Sequence, residues 1–352
     1  MNSNIFLRVS LQEKLVFTKN LALALKAGVS LVNSLKMLQG QARTRSFRTV
    51  ITSLIEDTNK GMFLSASLEK FRPLFGELFI NIIRVAETSG TLPENLIYLG
   101  DELKKKADLR KKVRGAMIYP IIILIATVII ASTMIIFVFP KILPLFENFK
   151  AQLPFTTRLL IKISEIVSNY GVWILIGAIL FIIGFRFALR VPAVKRAYQA
   201  ILFYLPLFGK AIVNFNMANM ARTLGLLLRS GVKIIEALGI TAATLTNLVY
   251  RGELDGAAES VKKGEFISHY FRKKPKLFPD MLVNLLEIGE NTGNLTENLF
   301  YLADHYEAEV DDFVKNLSGI LEPVLLLFMG GIVGFIALSF ITPIYQLTRQ
   351  VK

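Results

Sequence analysis

The chain repeats itself at a fixed spacing of 203 residues. The stretch ETSGTLPENLIYL, Glu87–Leu99, returns as ENTGNLTENLFYL from Glu290 onward, with eight of the thirteen positions identical. The same spacing relates Gly28 to Gly231, Gly61 to Gly264 and Pro120 to Pro323. An ungapped repeat over about a hundred residues indicates two copies of one structural unit, and any fold prediction has to accommodate both.

Three long apolar runs interrupt the repeat pattern. They cover Gly115–Pro140, Ile166–Phe185 and Pro323–Thr348, and none contains a charged residue. These runs account for a composition that is 53% hydrophobic and only 19% charged. About 20 apolar residues in a helix cross the hydrocarbon core of a bilayer, so each run is long enough to span a membrane. The sequence therefore predicts three transmembrane helices.

The positive charge is distributed unevenly around these runs. Residues 1–116 carry 19 Lys and Arg against 10 Asp and Glu, residues 186–316 carry 16 against 14, and residues 141–165 carry only four against two. Basic residues are retained on the cytoplasmic side of a membrane, above all close to a span. We therefore expect both copies and the N-terminus in the cytoplasm, and residues 141–165 and the C-terminus outside. Arg349 and Lys352, beyond the third run, argue weakly against this orientation.

The repeat and the spans together divide the chain. The predicted fold class is an all-α polytopic membrane protein with two homologous cytoplasmic helical bundles and three transmembrane helices. The predicted segments are a first bundle (1–115), a first span (116–140), an extracytoplasmic loop (141–165), a second span (166–189), a second bundle (190–317), a third span (318–346) and an extracytoplasmic tail (347–352).

Glycines and capping residues mark helix ends at matching places in both copies. Glycine adopts left-handed backbone angles at little cost, and a helix commonly ends on such a residue. A Ser, Thr, Asp or Asn followed three residues later by Glu predicts a helix start with a capping box. The predicted C-caps are Gly28, Gly90, Gly231 and Gly293; the predicted capping boxes pair Thr91 with Glu94 and Asn294 with Glu297. Each copy therefore ends in a tight helical hairpin.

Glu87 and Glu290 are not explained by this capping scheme. Both lie in the last turn of a predicted helix, where a negative charge interacts unfavourably with the helix dipole. Two interpretations remain open: a solvated surface acid, or a salt-bridge or partner contact used by both copies.

The helices that approach the membrane carry opposite charges in the two copies. Asp101–Arg114 has seven basic and three acidic residues, whereas the matching Asp304–Leu317 has one basic and five acidic residues. Two interpretations remain open: two solvated stems, or stems that pair within one chain or between subunits. The candidate contact residues are Lys104, Lys105, Lys106, Asp304, Glu307 and Asp311.

The sequence offers little support for an enzyme or a transporter. It contains no phosphate-binding loop, no dinucleotide-binding glycine motif, no HExxH zinc motif and no GxSxG nucleophile motif, and it contains no cysteine. We therefore predict no catalytic, cofactor-binding or metal-binding residues. The uncharged spans disfavour a solute pathway, because such pathways usually place ionisable groups within the membrane. Gly330 and Gly334 form a GxxxG pattern in the third span, and two interpretations remain open: a face for close packing against another helix, or glycines of the kind that are common in spans.

Taken together, the paired motifs resemble a known family. GxLxENLxYL follows a helix stop in each copy, IYPIIIL and LEPVLLL open the outer spans, and AQLPFTTRLLIKIS precedes the middle one. This pattern is similar to that of the inner-membrane platform proteins of type II secretion systems and type IV pili, the secretion system F family, from about Val16 to Leu347.

The resemblance implies a scaffold that is not an enzyme. Such a platform couples a cytoplasmic hexameric ATPase to the assembly of pilins or pseudopilins in the bacterial inner membrane. The implied partners are that ATPase, those subunits, other inner-membrane assembly proteins and further copies of the chain, with no direct contact to nucleic acid and no cofactor. The alternatives are a membrane transporter or channel, and an unrelated membrane adaptor.

Overall fold

The computed structural model describes residues 7–138, 140, 141, 144, 154–203 and 208–350. Part of the predicted loop 141–165 and the end of the predicted tail therefore lie outside the described residues. The described residues are helical and contain no strand. They form two compact units, one made of residues up to 111 and 195–312, the other of residues 112–194 and 313–352.

Helices of the first copy are short until the last one. They are α1 (Leu11–Lys26), α2 (Leu31–Gln41), α3 (Arg45–Asn59), α4 (Leu64–Glu69), α5 (Arg72–Phe75), α6 (Glu77–Ser89) and α7 (Leu92–Thr133), which continues as a π-helical turn (Met134–Val138). Two helices, α8 (Phe155–Ala188) and α9 (Pro192–Leu202), separate this copy from the next.

The second copy repeats the helices of the first at the same spacing. Its helices are α10 (Phe208–Arg229), α11 (Ile234–Thr244), α12 (Leu248–Lys262), α13 (Ile267–Arg272), α14 (Asp280–Thr292) and α15 (Leu295–Gln350). From α2 onward each helix begins 203 residues before its counterpart, apart from α5, whose matching residues 275–278 form turns instead. The two copies thus share one fold, as the sequence repeat predicts.

The first unit contains a hydrophobic core that includes buried residues of both copies. Leu21, Leu35 and Leu54 of the first copy and Leu224 and Leu286 of the second are fully buried within one cluster. Helix α6 of the first copy packs against α10 and α11 of the second. Burial of apolar side chains is the main stabilising term in such a core, so the two copies stabilise each other through a shared apolar interior.

Helix ends in both copies coincide with glycines in the left-handed region. Gly28, Gly231, Gly90 and Gly293 have φ angles of +82°, +89°, +73° and +77°. The helices α7 and α15 begin at Leu92 and Leu295, which puts Thr91 and Asn294 at the N-cap positions. The capping box predicted for Thr91 is wrong, however, because the N–H of Thr91 donates to the carbonyl of Ala86 at 2.9 Å. That bond closes α6 and occupies the donor that Glu94 would have needed.

Among the described residues, three helices are long and apolar enough to cross a membrane, and their apolar parts lie in the second unit. These candidate spans lie in Leu92–Val138, Phe155–Ala188 and Leu295–Thr342. The middle helix begins at Phe155 rather than at residue 166, so part of the predicted loop is helical. Pro120 lies inside α7, which continues beyond it as a helix.

Buried hydroxyl groups connect the spans within this unit. The hydroxyl of Thr157 donates to the carbonyl of Ser339 at 2.9 Å, and that of Ser164 donates to the carbonyl of Ile135 at 2.9 Å. Such bonds satisfy polar groups that would otherwise be costly to place in hydrocarbon. Among the described residues, a Cβ added to Gly330 or Gly334 would meet no atom of another helix within 4 Å, so the packing interpretation of this pattern stays a prediction.

Candidate functional site: the polar cleft between the two copies

Arg222 of α10 is at the centre of an ion-pair cluster in the first unit. Its Nε and one terminal nitrogen each lie 2.8 Å from a different carboxylate oxygen of Glu307, and it also binds Asp304. Only 10% of the Arg222 side chain is exposed. Burial alone would lower the pKa of this guanidinium, but its hydrogen bonds to Glu307 and Asp304 outweigh the burial and raise it.

Lys105 of the first copy reaches the same two carboxylates. Its Nζ lies 3.1 Å from Asp304 and 2.8 Å from Glu307. The oppositely charged stems are therefore in contact within one chain through Lys105, with Arg222 as a partner that the sequence interpretation did not include. Burial opposes charge at Asp304, yet hydrogen bonds from Arg222 and Lys105 outweigh it and lower the pKa of Asp304.

Glu102 adds a third carboxylate to this cluster. One of its oxygens lies 3.9 Å from the Nε of Arg222, and 24% of its side chain is exposed. Desolvation raises the pKa of Glu102, and the nearby negative charge of Glu307 raises it further, against the opposing influence of Arg222 and Lys105. In this cluster Asp304 and Glu307 are paired with basic side chains. Glu102, from the first copy, is the acid whose charged form is disfavoured.

An equivalent but simpler pair occupies the matching positions of the first copy. Lys19 and Asp101, which correspond to Arg222 and Asp304, lie 3.1 Å apart. Their side chains are 38% and 61% exposed. The same ion pair, between the first long helix of the copy and the helix that approaches the membrane, therefore occurs in both copies. Only in the second copy is its basic residue, Arg222, buried. A duplicated pair of opposite charges at the repeat spacing is the sequence signal that could have identified Arg222.

The cluster lies at one end of a cleft of about 590 Å³ between the copies. The guanidinium of Arg229 lies 4.3 Å from the ring of Tyr98 and 5.4 Å from the ring of Phe300. Beside it, the hydroxyl of Ser230 donates to the side-chain oxygen of Asn95 at 2.5 Å. These contacts join the C-terminal end of α10 to the starts of α7 and α15. The cleft therefore lies where α10 meets the two helices that lead to the outer spans.

The structure gives Glu87 and Glu290 a role that neither sequence interpretation included. The carboxylate of Glu87 accepts hydrogen bonds from the backbone N–H groups of Leu64 and Ser65, the latter at 2.8 Å. These are the first residues of α4, whose own N-cap residue, Phe63, provides no side-chain acceptor. Glu87 therefore caps α4 from a different helix.

Glu290 repeats this arrangement in the second copy. Its carboxylate accepts from the N–H groups of Ile267 and Ser268 at 2.6 and 3.1 Å, and from the Ser268 hydroxyl at 2.6 Å. A negative charge beside a helix N-terminus is favourable, so the unfavourable position at the end of α14 is offset at the start of α13. Both carboxylates are therefore occupied by hydrogen bonds within their own copy, and their assignment as partner contacts stays a prediction.

Lys104 and Lys106, the other basic candidates, are exposed on α7. Among the described residues, no group of three or more His, Cys, Asp or Glu is arranged to hold a metal ion. The contacts that the structure shows in the cleft are ion pairs, hydrogen bonds and cation–π contacts.

Comparison with known proteins gives a consistent result. The family model described as type II secretion system protein F matches residues 17–140 and 220–343, two segments separated by the repeat spacing. A type IV pilus assembly protein PilC of Thermus thermophilus is 33% identical over 337 residues, covering 96% of this chain and 83% of the relative.

Relatives from both kinds of machine are similar over nearly the full chain. A type II secretion system protein F of Aeromonas hydrophila is 32% identical over 345 residues, covering 97% of this chain and 88% of the relative. A PilC protein of Pseudomonas aeruginosa is 29% identical over 339 residues, covering 96% of this chain and 90% of the relative.

Proposed function

Because the chain belongs to the type II secretion system protein F family, we propose that it is a non-enzymatic inner-membrane platform. In this proposal it couples a cytoplasmic assembly or secretion ATPase to the assembly of pilin or pseudopilin subunits. The observation that carries the proposal is the pair of helices α7 and α15. Each begins in the bundle of one copy and continues as a single helix into a candidate span.

Such helices suit a mechanical role. An α-helix rises 1.5 Å per residue with every interior backbone hydrogen bond made, so it transmits displacement along its axis. The Arg222 cluster connects the two stems at residues that precede their apolar runs, because Lys105 belongs to α7 and Asp304 and Glu307 belong to α15. We infer that a movement imposed on one copy is passed to the other through this cluster.

The exposed residues Lys104 and Lys106 and the acid Asp311 remain proposed partner contacts. The proposal also includes further inner-membrane assembly proteins as partners. The orientation, with both bundles in the cytoplasm and the C-terminus outside, rests on the excess of basic residues in residues 1–116 and beside the second span.

Four measurements test this proposal. Reporter fusions after Arg114, within residues 147–152, after Arg196 and at Lys352 should read inside, outside, inside and outside. Immobilised full-length chain should retain the assembly or secretion ATPase of its own organism, and the purified chain alone should hydrolyse no ATP. Deletion of its gene should abolish surface pili or secretion. Normal piliation and secretion in the deletion strain, or a cytoplasmic reporter at Lys352, would contradict the proposal.

A further inference from the structure

Each copy contacts the other through one face. Most of the residues that lie 203 positions away from these contact residues, on the opposite copy, are exposed. In the contact within the chain, the second copy offers α10 and α11, and the first copy covers them with α6 and the start of α7. We call Leu226, Ser230 and Ile240 the covered receiving face, and Val85, Asn95 and Tyr98 the covered inserting face. Applying the repeat spacing to these six residues identifies two further faces.

The open receiving face lies on the first copy and consists of Leu23, Ala27 and Met37. Leu23 is 63% exposed whereas its counterpart Leu226 is 4% exposed, and Met37 is 57% exposed whereas its counterpart Ile240 is 9% exposed. The fold is the same in both copies, so the difference in exposure arises from what covers the face. In the second copy that cover is the first copy; in the first copy the described residues supply none.

The open inserting face lies on the second copy and consists of the exposed Ile288 and Tyr301 and, beside them, the half-buried Asn298, whose amide donates to the carbonyl of Leu285. Ile288 and Tyr301 are 52% and 60% exposed, whereas their counterparts Val85 and Tyr98 are partly buried and pack against the core. The open receiving face and the open inserting face thus both expose large apolar side chains whose counterparts at the repeat spacing are covered. Exposed apolar surface of this kind is typical of an interaction site.

We propose that the open inserting face of one chain docks onto the open receiving face of a second copy of this chain. This contact would repeat, between chains, the contact that the two copies make within a chain. Because the two open faces lie on different copies, the contact is head-to-tail, which produces closed rings or open chains of subunits. The occupant is a second copy because this chain itself carries a face of the kind that already fits the receiving helices.

Charges at the proposed contact are weaker than those within the chain. Arg222 and Glu102 of the internal contact correspond to Lys19 and His305, so the buried bidentate guanidinium is replaced by a lysine already paired with Asp101. An interface that keeps the apolar residues but loses the buried arginine is expected to bind less tightly. The contact between chains is therefore expected to be weaker than the contact within a chain. The inference concerns self-association only and does not rest on the proposed function.

The absence of cysteine from the chain makes a direct test possible. The hydrogen-bonded pair Asn95 and Ser230 corresponds to Asn298 and Ala27 on the open faces. Full-length Ala27→Cys and Asn298→Cys chains with different affinity tags would be co-expressed and oxidised in their native membranes. We expect a disulfide-linked dimer carrying both tags, at least fivefold more abundant than a dimer of either variant with itself.

Two controls make the result decisive. An Asn95→Cys/Ser230→Cys chain should form a disulfide within one molecule, which shows that the geometry and the oxidation conditions permit the bond. Thermal unfolding of each variant verifies that it is folded. If the control disulfide forms but the mixed-tag dimer does not, or if Ala27→Cys links to itself equally well, the head-to-tail contact is refuted.

A second measurement tests the apolar residues. Leu23→Glu should lower the self-association constant of the full-length chain in detergent by at least tenfold, measured by analytical ultracentrifugation. Phe63→Glu is the matched control, because Phe63 is 61% exposed on the same copy but outside the open receiving face. Equal effects of the two substitutions would overturn the assignment of the face.

Discussion

Replacement of Arg222 by alanine tests how much the ion-pair cluster in the cleft contributes to the stability of the chain. The side chain is 10% exposed and makes two hydrogen bonds of 2.8 Å to Glu307 in addition to its contact with Asp304. Hydrogen bonds to charged groups contribute about 1.5–3 kcal/mol each, and removing one partner of a buried ion pair costs about 3–5 kcal/mol. Asp304 and Glu307 are 66% and 31% exposed, however, so water would partly solvate them after the substitution.

The expected loss of unfolding free energy is therefore about 2 kcal/mol, below the range for a fully buried pair. For a unit of this size, such a loss lowers the midpoint of thermal unfolding by about 4–8 °C. The assay is thermal unfolding of the full-length chain in detergent, followed by circular dichroism. Arg222→Lys should recover part of the loss, because a lysine keeps the charge but cannot make the two parallel bonds to Glu307.

Lys19→Ala is the matched control, since Lys19 occupies the same position in the first copy. Its single pair with Asp101 is exposed on both sides, and such surface pairs contribute about 0–1 kcal/mol. Equal destabilisation by Arg222→Ala and Lys19→Ala would refute the reasoning, because it would show that burial against the other copy adds nothing. A more stable Arg222→Met variant would refute it as well, since desolvation would then exceed the attraction.

Three further substitutions test individual residues. Glu290→Ala removes an acceptor for two backbone N–H groups at the start of α13, so thermal unfolding should show a loss of about 1–2 kcal/mol; an unchanged midpoint would contradict the capping role. Gly293→Val forces a branched residue to a φ of +77° and should cost about 1–2 kcal/mol in the same assay. Glu102→Gln should stabilise the chain near neutral pH. The raised pKa of Glu102 means that its charged form destabilises the fold, so the stability of the natural chain falls as pH rises from the ordinary glutamate range through the raised value. The gain from Glu102→Gln should therefore disappear below about pH 4, and an equal gain at all pH values would be inconsistent with titration of Glu102.

The sequence predicted the repeated architecture well because repetition is a strong constraint. One spacing aligns Gly90 with Gly293, and the helices that follow these two glycines begin at Leu92 and Leu295. Left-handed glycines and amphipathic periodicity are local signals, and the fold satisfies them locally. The three apolar runs are equally local and coincide with the three helices long enough to cross a membrane.

The capping interpretation missed one partner that is distant in sequence and one local competition for a donor. Glu87 caps residues 22 and 23 positions earlier, so a search for caps within one helical turn could not identify it. At Thr91 two capping arrangements compete for one N–H, and the bond that ends α6 prevails over the one that would begin α7. The use of Glu87 depends on tertiary packing that the pattern does not encode, whereas at Thr91 two local arrangements require the same donor.

The duplicated glutamates make the two copies alike, whereas the ion pairs make them different. Glu87 and Glu290 perform the same task within each copy, so they maintain the fold that both copies share. Arg222 and Lys105 have no equivalent of the same kind at the matching positions, which hold Lys19 and Ala308. A repeat whose copies differ where they contact each other can form one defined pair within a chain and still leave one face of each copy open. That asymmetry, and not the repeat by itself, accounts for the one defined pair within the chain and for the open faces on which the proposed contact between chains depends.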